Sequence, residues 1–199
     1  MSLTKQAKTL TTRQVESISR DLVTKRNGLR NQTIFLLSVK AGLRAKEISH
    51  LKWSYVVNSD LSIDDYIRLP NSASKGNGGR EIPIHPSIKA NLHEMLKERM
   101  KENSFFIKDK FVVNTERSDH TSSQHIINWF ISIYKGYGLT GCSSHSGRRT
   151  FITNIARKIS LVGGSMRDVQ YLAGHSSLQV TQRYVESCSE SKVKVINLI

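Results

Sequence analysis

Apolar residues recur at helical spacing along most of this chain, in short stretches that glycine-containing segments interrupt. Val15, Ile18 and Leu22 form the first stretch, and a second one follows the Asn27-Gly28 break. Residues three and four positions apart lie on one face of an α-helix, so each stretch predicts a helix with one buried face. The second predicted helix contains Ile34, Leu37 and Ala41.

Gly42 is expected to end the second helix, because glycine adopts the left-handed conformation of a C-terminal cap without strain. A third helix is predicted over residues 44–51, with Arg44 at its start. Helical spacing returns after Pro86 and again around Phe130. Three further short helices are predicted over residues 146–159, 165–173 and 177–185.

The segment between the third and fourth helices is rich in β-branched and aromatic residues, which favour strands. Three short strands are predicted at Tyr55–Val57, Tyr66–Leu69 and Arg80–Ile84. The glycine-rich stretch over residues 70–79, which includes Lys75, is typical of a hairpin tip. The expected fold class is therefore α+β: a mostly helical domain with a small three-stranded antiparallel sheet.

The charge balance points to an anionic partner. The chain has 199 residues, and its 30 lysines and arginines against 16 acidic residues give a formal net charge of +14. Such an excess repels itself in a compact protein unless a partner neutralises it, and nucleic acid is the expected partner. No apolar stretch approaches the roughly 18 residues of a membrane-spanning helix, and no secretion signal is present, so a cytoplasmic, nucleoid-associated protein without membrane contact is expected.

Two short motifs contain residue types that phosphodiester transfer requires. His145 and Arg148 stand at i and i+3 where a helix begins, beside exposed backbone N–H groups, an arrangement that can hold a phosphate. His175 stands nine residues before Tyr184. Chance alone gives about 0.5 His-x-x-Arg pairs and about 0.2 such His-to-Tyr spacings in this composition, so neither motif is decisive alone.

Three segments along the chain give a more specific signal in combination. They are Ala41-Gly-Leu-Arg44-Ala-Lys-Glu47-Ile, Ser144-His145-Ser-Gly-Arg148-Arg-Thr-Phe, and Ala173-Gly-His175-Ser-Ser through Arg183-Tyr184. In this order they resemble the catalytic boxes of the tyrosine recombinase, or phage integrase, family. The resemblance runs from about Leu10 to Tyr184, and Lys75 stands where the family has its β-hairpin lysine.

The resemblance implies a catalytic role for six residues. Tyr184 would attack the scissile phosphate and form a 3′-phosphotyrosyl bond, without metal, ATP or another cofactor. Arg44 and Arg148 would present their guanidinium groups to the non-bridging oxygens. Lys75 would protonate the leaving 5′-oxygen. The remaining two are His145, which would accept the tyrosine proton or hold the phosphate, and His175, which would donate a hydrogen bond to it.

Glu47 resembles the family's buried acidic residue, which orients the arginines of the site without touching the DNA. The resemblance also implies a site-specific recombinase that integrates or otherwise exchanges DNA, typically in mobile elements. Its substrate would be double-stranded DNA, and the protein would act as a homotetramer on synapsed duplexes. Whether the free protein is a monomer and whether accessory DNA-bending proteins take part are left open.

Residues 1–199 are expected to form one catalytic domain, with a core over about 10–185 and a C-terminal tail over 186–199. A separate N-terminal arm domain is not expected, and the sequence leaves open a fragment or a naturally short recombinase. Other functions stay open too: a non-catalytic DNA-binding relic or a type IB topoisomerase-like enzyme. A metal-dependent nuclease is disfavoured because such enzymes need clustered acidic residues.

Overall fold

The computed structural model describes residues 7–73, 79–102, 108–116 and 118–184. Its helices are α1 (Thr12–Val23), α2 (Gly28–Ala41), α3 (Ala45–Ser49), α4 (Pro86–Glu102), α5 (Ser123–Gly136), α6 (Ser146–Lys158), α7 (Met166–Ala173) and α8 (Leu178–Gln182). Its strands are β1 (Tyr66–Leu69) and β2 (Arg80–Pro83). Short 3-10 helices cover Trp53–Tyr55, Asn71–Ala73 and Ile159–Val162. The prediction of a mostly helical α+β fold is confirmed.

Helix α2 lies at the centre of the domain because it is apolar on nearly every side. Phe35 and Leu37 are fully buried, and Leu36 and Val39 between and after them are almost so. A helix that is apolar all round must be covered on all sides. Helices α1, α4 and α6 provide that cover by packing against α2.

The predicted three-stranded sheet is wrong in its strand count. Within the described residues the sheet consists of β1 and β2, which pair antiparallel with Tyr66 opposite Pro83 and Leu69 opposite Arg80. The segment Tyr55–Val57 does not form a strand, because the backbone N–H groups of Val56 and Val57 turn back to the carbonyl of Trp53. Local turn hydrogen bonds therefore override the β-branched composition, and an isolated bridge from Val57 to Ile63 is what remains.

A second, smaller apolar cluster joins the last helices to the rest of the domain. Its buried members are Phe151 and Ile152 of α6 and Val169 and Ala173 of α7. Tyr184 packs against this cluster and is partly buried. The cluster fixes α7, and with it the turn that follows, against α6.

Local signals set most helix ends where the sequence indicates. Gly42 caps α2 in the left-handed conformation, and Arg44 is the residue before α3, as predicted. Four helices are shorter than predicted: α6 and α7 by one residue each, α3 because it ends at Ser49, and α8 because it is assigned to Leu178–Gln182. Among the described residues, no helix has the length and apolar character needed to cross a membrane.

Candidate active site

Arg44 and Glu47 form the first part of the site, at the start of α3. The Glu47 carboxylate reaches back one turn and accepts from the Arg44 backbone N–H at 2.8 Å and from Arg44 Nη1 at 2.9 Å. Glu47 is only 1% exposed, whereas the Arg44 side chain is 27% exposed. The buried Glu47 carboxylate thus fixes Arg44 on its inner side, while part of the guanidinium group stays accessible to solvent.

Arg80, the first residue of β2, enters the same cluster from the hairpin. Its Nη1 and Nη2 donate to the two oxygens of Glu47 at 2.9 and 3.0 Å, and its Nε donates to the Leu172 carbonyl at 3.1 Å. Burial by itself raises the pKa of Glu47, but the hydrogen bonds and charges of Arg80 and Arg44 outweigh it and lower the pKa below its usual value. Glu47 is therefore ionised at neutral pH.

Arg148 reaches the cluster from α6. Gly147 lets α6 approach α2 closely, since a Cβ atom there would lie 2.3 Å from Ser38 Oγ. Arg148 Nη1 donates to the Gly42 carbonyl at 2.6 Å, and Nη2 donates to the Ala173 carbonyl. Burial, with the repulsion of Arg44, lowers the pKa of Arg148 to about 9, which leaves the guanidinium charged at neutral pH.

The turn after α7 is where these arginines meet. Arg148 donates to the Ala173 carbonyl, and Arg44 Nη2 lies 3.4 Å from the next carbonyl, that of Gly174. His175 follows immediately in the chain. Two guanidinium groups, one from the residue before α3 and one from α6, thus contact consecutive carbonyls beside the histidine.

His175 is partly buried and fixed at several points. Its backbone N–H donates to the Gln170 carbonyl at 3.1 Å, and its Nδ1 lies 3.0 Å from Thr181 Oγ1. Burial and then the charges of the surrounding arginines, with Arg148 the strongest, lower the pKa of His175 to about 4. The imidazole is therefore neutral at neutral pH.

Tyr184 lies just after α8, against His175. The two rings stack with their centroids 5.3 Å apart and an interplanar angle of 25°, and the Arg149 guanidinium carbon lies 5.6 Å from the Tyr184 ring centroid. A pocket of about 380 Å³ opens beside the tyrosine. It is lined by Ala7, Ser143, His145, Arg148, Arg149, Val180, Arg183 and Tyr184.

The structure brings together most of the residues singled out in the sequence. Arg44, Glu47, Arg148 and His175 are linked by hydrogen bonds or ion pairs to one another or to the same turn. His145, an exposed residue at the start of α6, lines the pocket that Arg148 and Tyr184 also line. Lys75 lies outside the described residues.

Two residues of this region were not predicted from the sequence. Arg80 appeared only as part of a strand, although its position two residues before the inward-facing Ile82 places it on the buried face. A charged residue at such a position is a signal of a buried ion pair. Arg149 directly follows Arg148, and its contact with the Tyr184 ring depends on the path of the chain after α7, which no local pattern fixes.

This arrangement suits the binding of an anion that carries several oxygens. Guanidinium groups donate in a planar fork, and the neutral imidazole, which stacks on the Tyr184 ring, adds a further donor. In the part of the chain that the structure describes, no group of three or more His, Cys, Asp or Glu side chains is gathered as a metal site.

Comparison with known proteins defines the class to which this domain belongs. The sequence matches the model of the phage integrase family over residues 8–190. The chain therefore belongs to the phage integrase family.

The chain is similar to tyrosine recombinase XerC of Staphylococcus saprophyticus, with 28% identity over 177 residues that cover 85% of this chain and 53% of that protein. It is also similar to tyrosine recombinase XerA of Pyrococcus horikoshii, with 29% identity over 90% of this chain and 56% of that protein. The chain thus spans about half the length of the curated relatives it matches.

Solved structures show the same fold. The Tn1549 transposon integrase in complex with a circular intermediate DNA superposes with a TM-score of 0.74 at 19% identity, covering 99% of this chain and 67% of that one. XerA recombinase superposes with a TM-score of 0.73 at 18% identity, covering 100% of this chain and 66% of that one.

Proposed function

We propose that this chain is the catalytic domain of a site-specific DNA recombinase that cleaves and rejoins strands through a covalent 3′-phosphotyrosyl intermediate. The observation that carries the proposal is the convergence of Arg44 and Arg148 on the Ala173 and Gly174 carbonyls, beside His175, whose ring stacks on Tyr184. Donors for a phosphate and an oxygen nucleophile thus lie together.

In the proposed reaction Tyr184 Oη attacks the scissile phosphorus, and the bond from phosphorus to the 5′-oxygen breaks. His145 accepts the tyrosine proton or holds the phosphate, and Lys75 gives a proton to the leaving 5′-oxygen. Another strand's 5′-hydroxyl then attacks the phosphotyrosyl ester and releases Tyr184. The ester conserves the phosphodiester bond, so the exchange needs no ATP.

Arg44 and Arg148 stabilise the charge that builds up on the non-bridging oxygens. Both groups are held in place before substrate binds, so little reorganisation is needed as the charge develops. His175 is neutral because its pKa is lowered to about 4. If Thr181 donates to Nδ1, the ring carries its proton on Nε2 and can donate it in a hydrogen bond to the phosphate.

Double-stranded DNA is the proposed substrate. The net charge of +14 and the arginines around Tyr184 support it, and several solved relatives of this fold were determined with DNA, among them a lambda integrase dimer bound to a core site. Exchange between two duplexes requires four nucleophiles, so we propose a homotetramer on synapsed DNA. Binding through phosphates is expected to weaken steeply with salt.

The test mixes the protein with nicked duplexes taken from the DNA around its own coding sequence, in the presence of a chelator. A nick beside the scissile bond lets the short product strand diffuse away and traps the adduct. Wild type is expected to form a denaturant-resistant protein–DNA adduct, and Tyr184→Phe none. Tyr66→Phe, which changes a tyrosine that is 41% exposed on β1, is the matched control and should form the adduct.

An adduct that persists in Tyr184→Phe would refute Tyr184 as the nucleophile. DNA binding by wild type without any adduct on substrates that a relative cleaves would favour a non-catalytic relic. Relaxation of supercoils without strand exchange would favour the topoisomerase-like alternative.

A further inference from the structure

Arg80 is a cation that cannot meet the DNA. Its side chain is 1% exposed, although it stands at the centre of a site that we propose to bind phosphate. Burying a guanidinium group costs free energy unless its N–H groups find acceptors. Those of Arg80 donate to both oxygens of Glu47 and to the Leu172 carbonyl. The charge must therefore serve the protein's own groups.

We propose that Arg80 is a positioning residue for strand cleavage: it fixes the Glu47 carboxylate and the turn before His175 relative to each other, so that Arg44 and His175 face the same phosphate. This inference rests on the proposed function. The first residue of β2 would then position catalytic groups in addition to forming the hairpin.

The geometry of the guanidinium is what makes this possible. Nη1 and Nη2 bind the two oxygens of Glu47, and Nε binds the Leu172 carbonyl, so one rigid plane joins α3 to the end of α7. Arg44 donates to Glu47, so the position of Glu47 fixes that of Arg44. His175 lies three residues after Leu172, so the position of the Leu172 carbonyl affects that of His175. A lysine offers a single point of attachment and cannot set both directions.

The state of Glu47 depends on the cations that face it. They are Arg44 at the start of α3, Arg80 on β2 and Arg148 on α6, while His175 lies in the adjoining turn as a neutral ring. Arg80 is the strongest of the groups that lower the pKa of Glu47 against the effect of burial. Removing it is expected to raise that pKa, and a protonated Glu47 would hold Arg44 less firmly.

The experiment measures single-turnover adduct formation at saturating DNA between about pH 5 and pH 8. Arg80→Met is expected to slow cleavage by about 10- to 100-fold, because small displacements of binding groups cost rates of that order. The acid limb, meaning the fall in cleavage rate as the pH is lowered, should lie at higher pH in this variant than in wild type. Arg80→Lys should lie between the two, and Arg68→Met should keep the wild-type acid limb.

Arg68 is a fitting control because it lies on the same hairpin, is 51% exposed and pairs with Asp64 and Glu81 instead of Glu47. A purely structural role for Arg80 would lower the rate at every pH alike. The shift of the acid limb is therefore the decisive reading. Thermal unfolding of each variant checks that it folds, and Arg80→Lys serves if Arg80→Met does not.

His175 also feels the charge of Arg80, so its titration must be separated from that of Glu47. In a Glu47→Gln background the carboxyl group is absent, and Arg80→Met should move the acid limb less than it does in wild type. An equal shift in both backgrounds would overturn the proposal, because the effect would then not pass through Glu47.

A second reading does not depend on cleavage. The side-chain carboxyl carbon of Glu47, followed by ¹³C NMR in the free protein, should titrate at higher pH in Arg80→Met than in wild type and Arg68→Met. An unchanged titration would overturn the proposal. If Glu47 responds as expected but wild type forms no adduct on any substrate, the proposed function fails and the role of Arg80 in cleavage fails with it.

Discussion

The arginine cluster and the tyrosine end of the site are held in different ways. The arginine cluster, meaning Arg44, Glu47, Arg80 and Arg148, is a buried network in which Glu47 is 1% exposed and Arg80 and Arg148 are each 4% exposed. The tyrosine end consists of the five-residue helix α8 and Tyr184. Tyr184 is held by ring contacts and by packing against the edge of the smaller apolar cluster.

This difference fits the tasks that the proposed function gives to each part. Donors that stabilise developing charge act best when they are fixed in a site shielded from water. A nucleophile that attacks, remains bonded to DNA and is later released has no such need to be buried. Apart from loss of the Tyr184 hydroxyl itself, changes in the arginine cluster are therefore expected to cost more than changes at the tyrosine end.

Among variants that keep the Tyr184 hydroxyl, the largest effect is expected for Arg148→Lys. A lysine cannot donate to the Gly42 and Ala173 carbonyls and to a phosphate oxygen in the same geometry, so cleavage should fall by about 100- to 1,000-fold. DNA affinity should change far less, because charge is retained. Single-turnover cleavage and a binding titration separate the two, and Arg157→Lys on the same helix is the control. Comparable losses in both variants would contradict the special position of Arg148.

His175, where the two parts of the site meet, should show a smaller effect. His175→Gln is expected to lower cleavage by about 10- to 100-fold, the value of one hydrogen bond to a charged group. It also tests pH dependence. The folded-state pKa of about 4 lies below the usual value of 6.5, so His175 contributes stability above that usual value and loses it as the pH falls towards 4.

Denaturant unfolding between pH 7 and pH 4 measures this contribution. The free energy of unfolding of wild type should fall with pH over this range more steeply than that of His175→Gln. His93→Gln on α4, an exposed histidine, should leave the slope as in wild type. Equal slopes in wild type and His175→Gln would show that burial and the arginine charges do not keep the imidazole neutral.

Sequence reasoning singled out those residues of the candidate site whose signals are local. Arg44 with Glu47, and His145 with Arg148, each lie within one helical turn, so their spacing predicts a shared location. His175 and Tyr184 are separated by the short helix α8, and their ring stacking agrees with the predicted grouping.

The features that sequence reasoning missed depend on particular hydrogen bonds, one between distant segments and the others within a turn. Arg80 finds Glu47 across 33 positions of the chain, and strand composition cannot name that partner. The strand predicted at Tyr55–Val57 failed because turn hydrogen bonds to the Trp53 carbonyl determine the local backbone. At Tyr55–Val57 specific turn hydrogen bonds outweighed the strand propensity of the residues, whereas at Arg80 the strand was predicted and only the partner of its side chain was not.

Gly174 tests how closely the two parts of the site fit together. Its φ of 58° is left-handed, and a Cβ atom there would lie 2.8 Å from Arg80 Nη1. Gly174→Ala should therefore destabilise the fold by about 1–2 kcal/mol through backbone strain alone. Gly136→Ala, at the end of α5 with open space around it, is the control and should cost little. Denaturant unfolding compares the two, and equal stabilities would contradict the close fit at Gly174.

The smallest effect is expected at the tyrosine end, for Arg149→Gln. The contact between the Arg149 guanidinium and the Tyr184 ring is a cation–π interaction at 5.6 Å, and such contacts are worth about 0.5–1 kcal/mol at accessible sites. Cleavage at saturating DNA should slow by about 2- to 5-fold. Arg183→Gln removes the same charge from the same pocket and should weaken DNA binding without slowing cleavage once DNA is saturating. A loss in Arg149→Gln as large as that in Arg148→Lys would break the comparison, because the nucleophile would then be held as firmly as the phosphate donors.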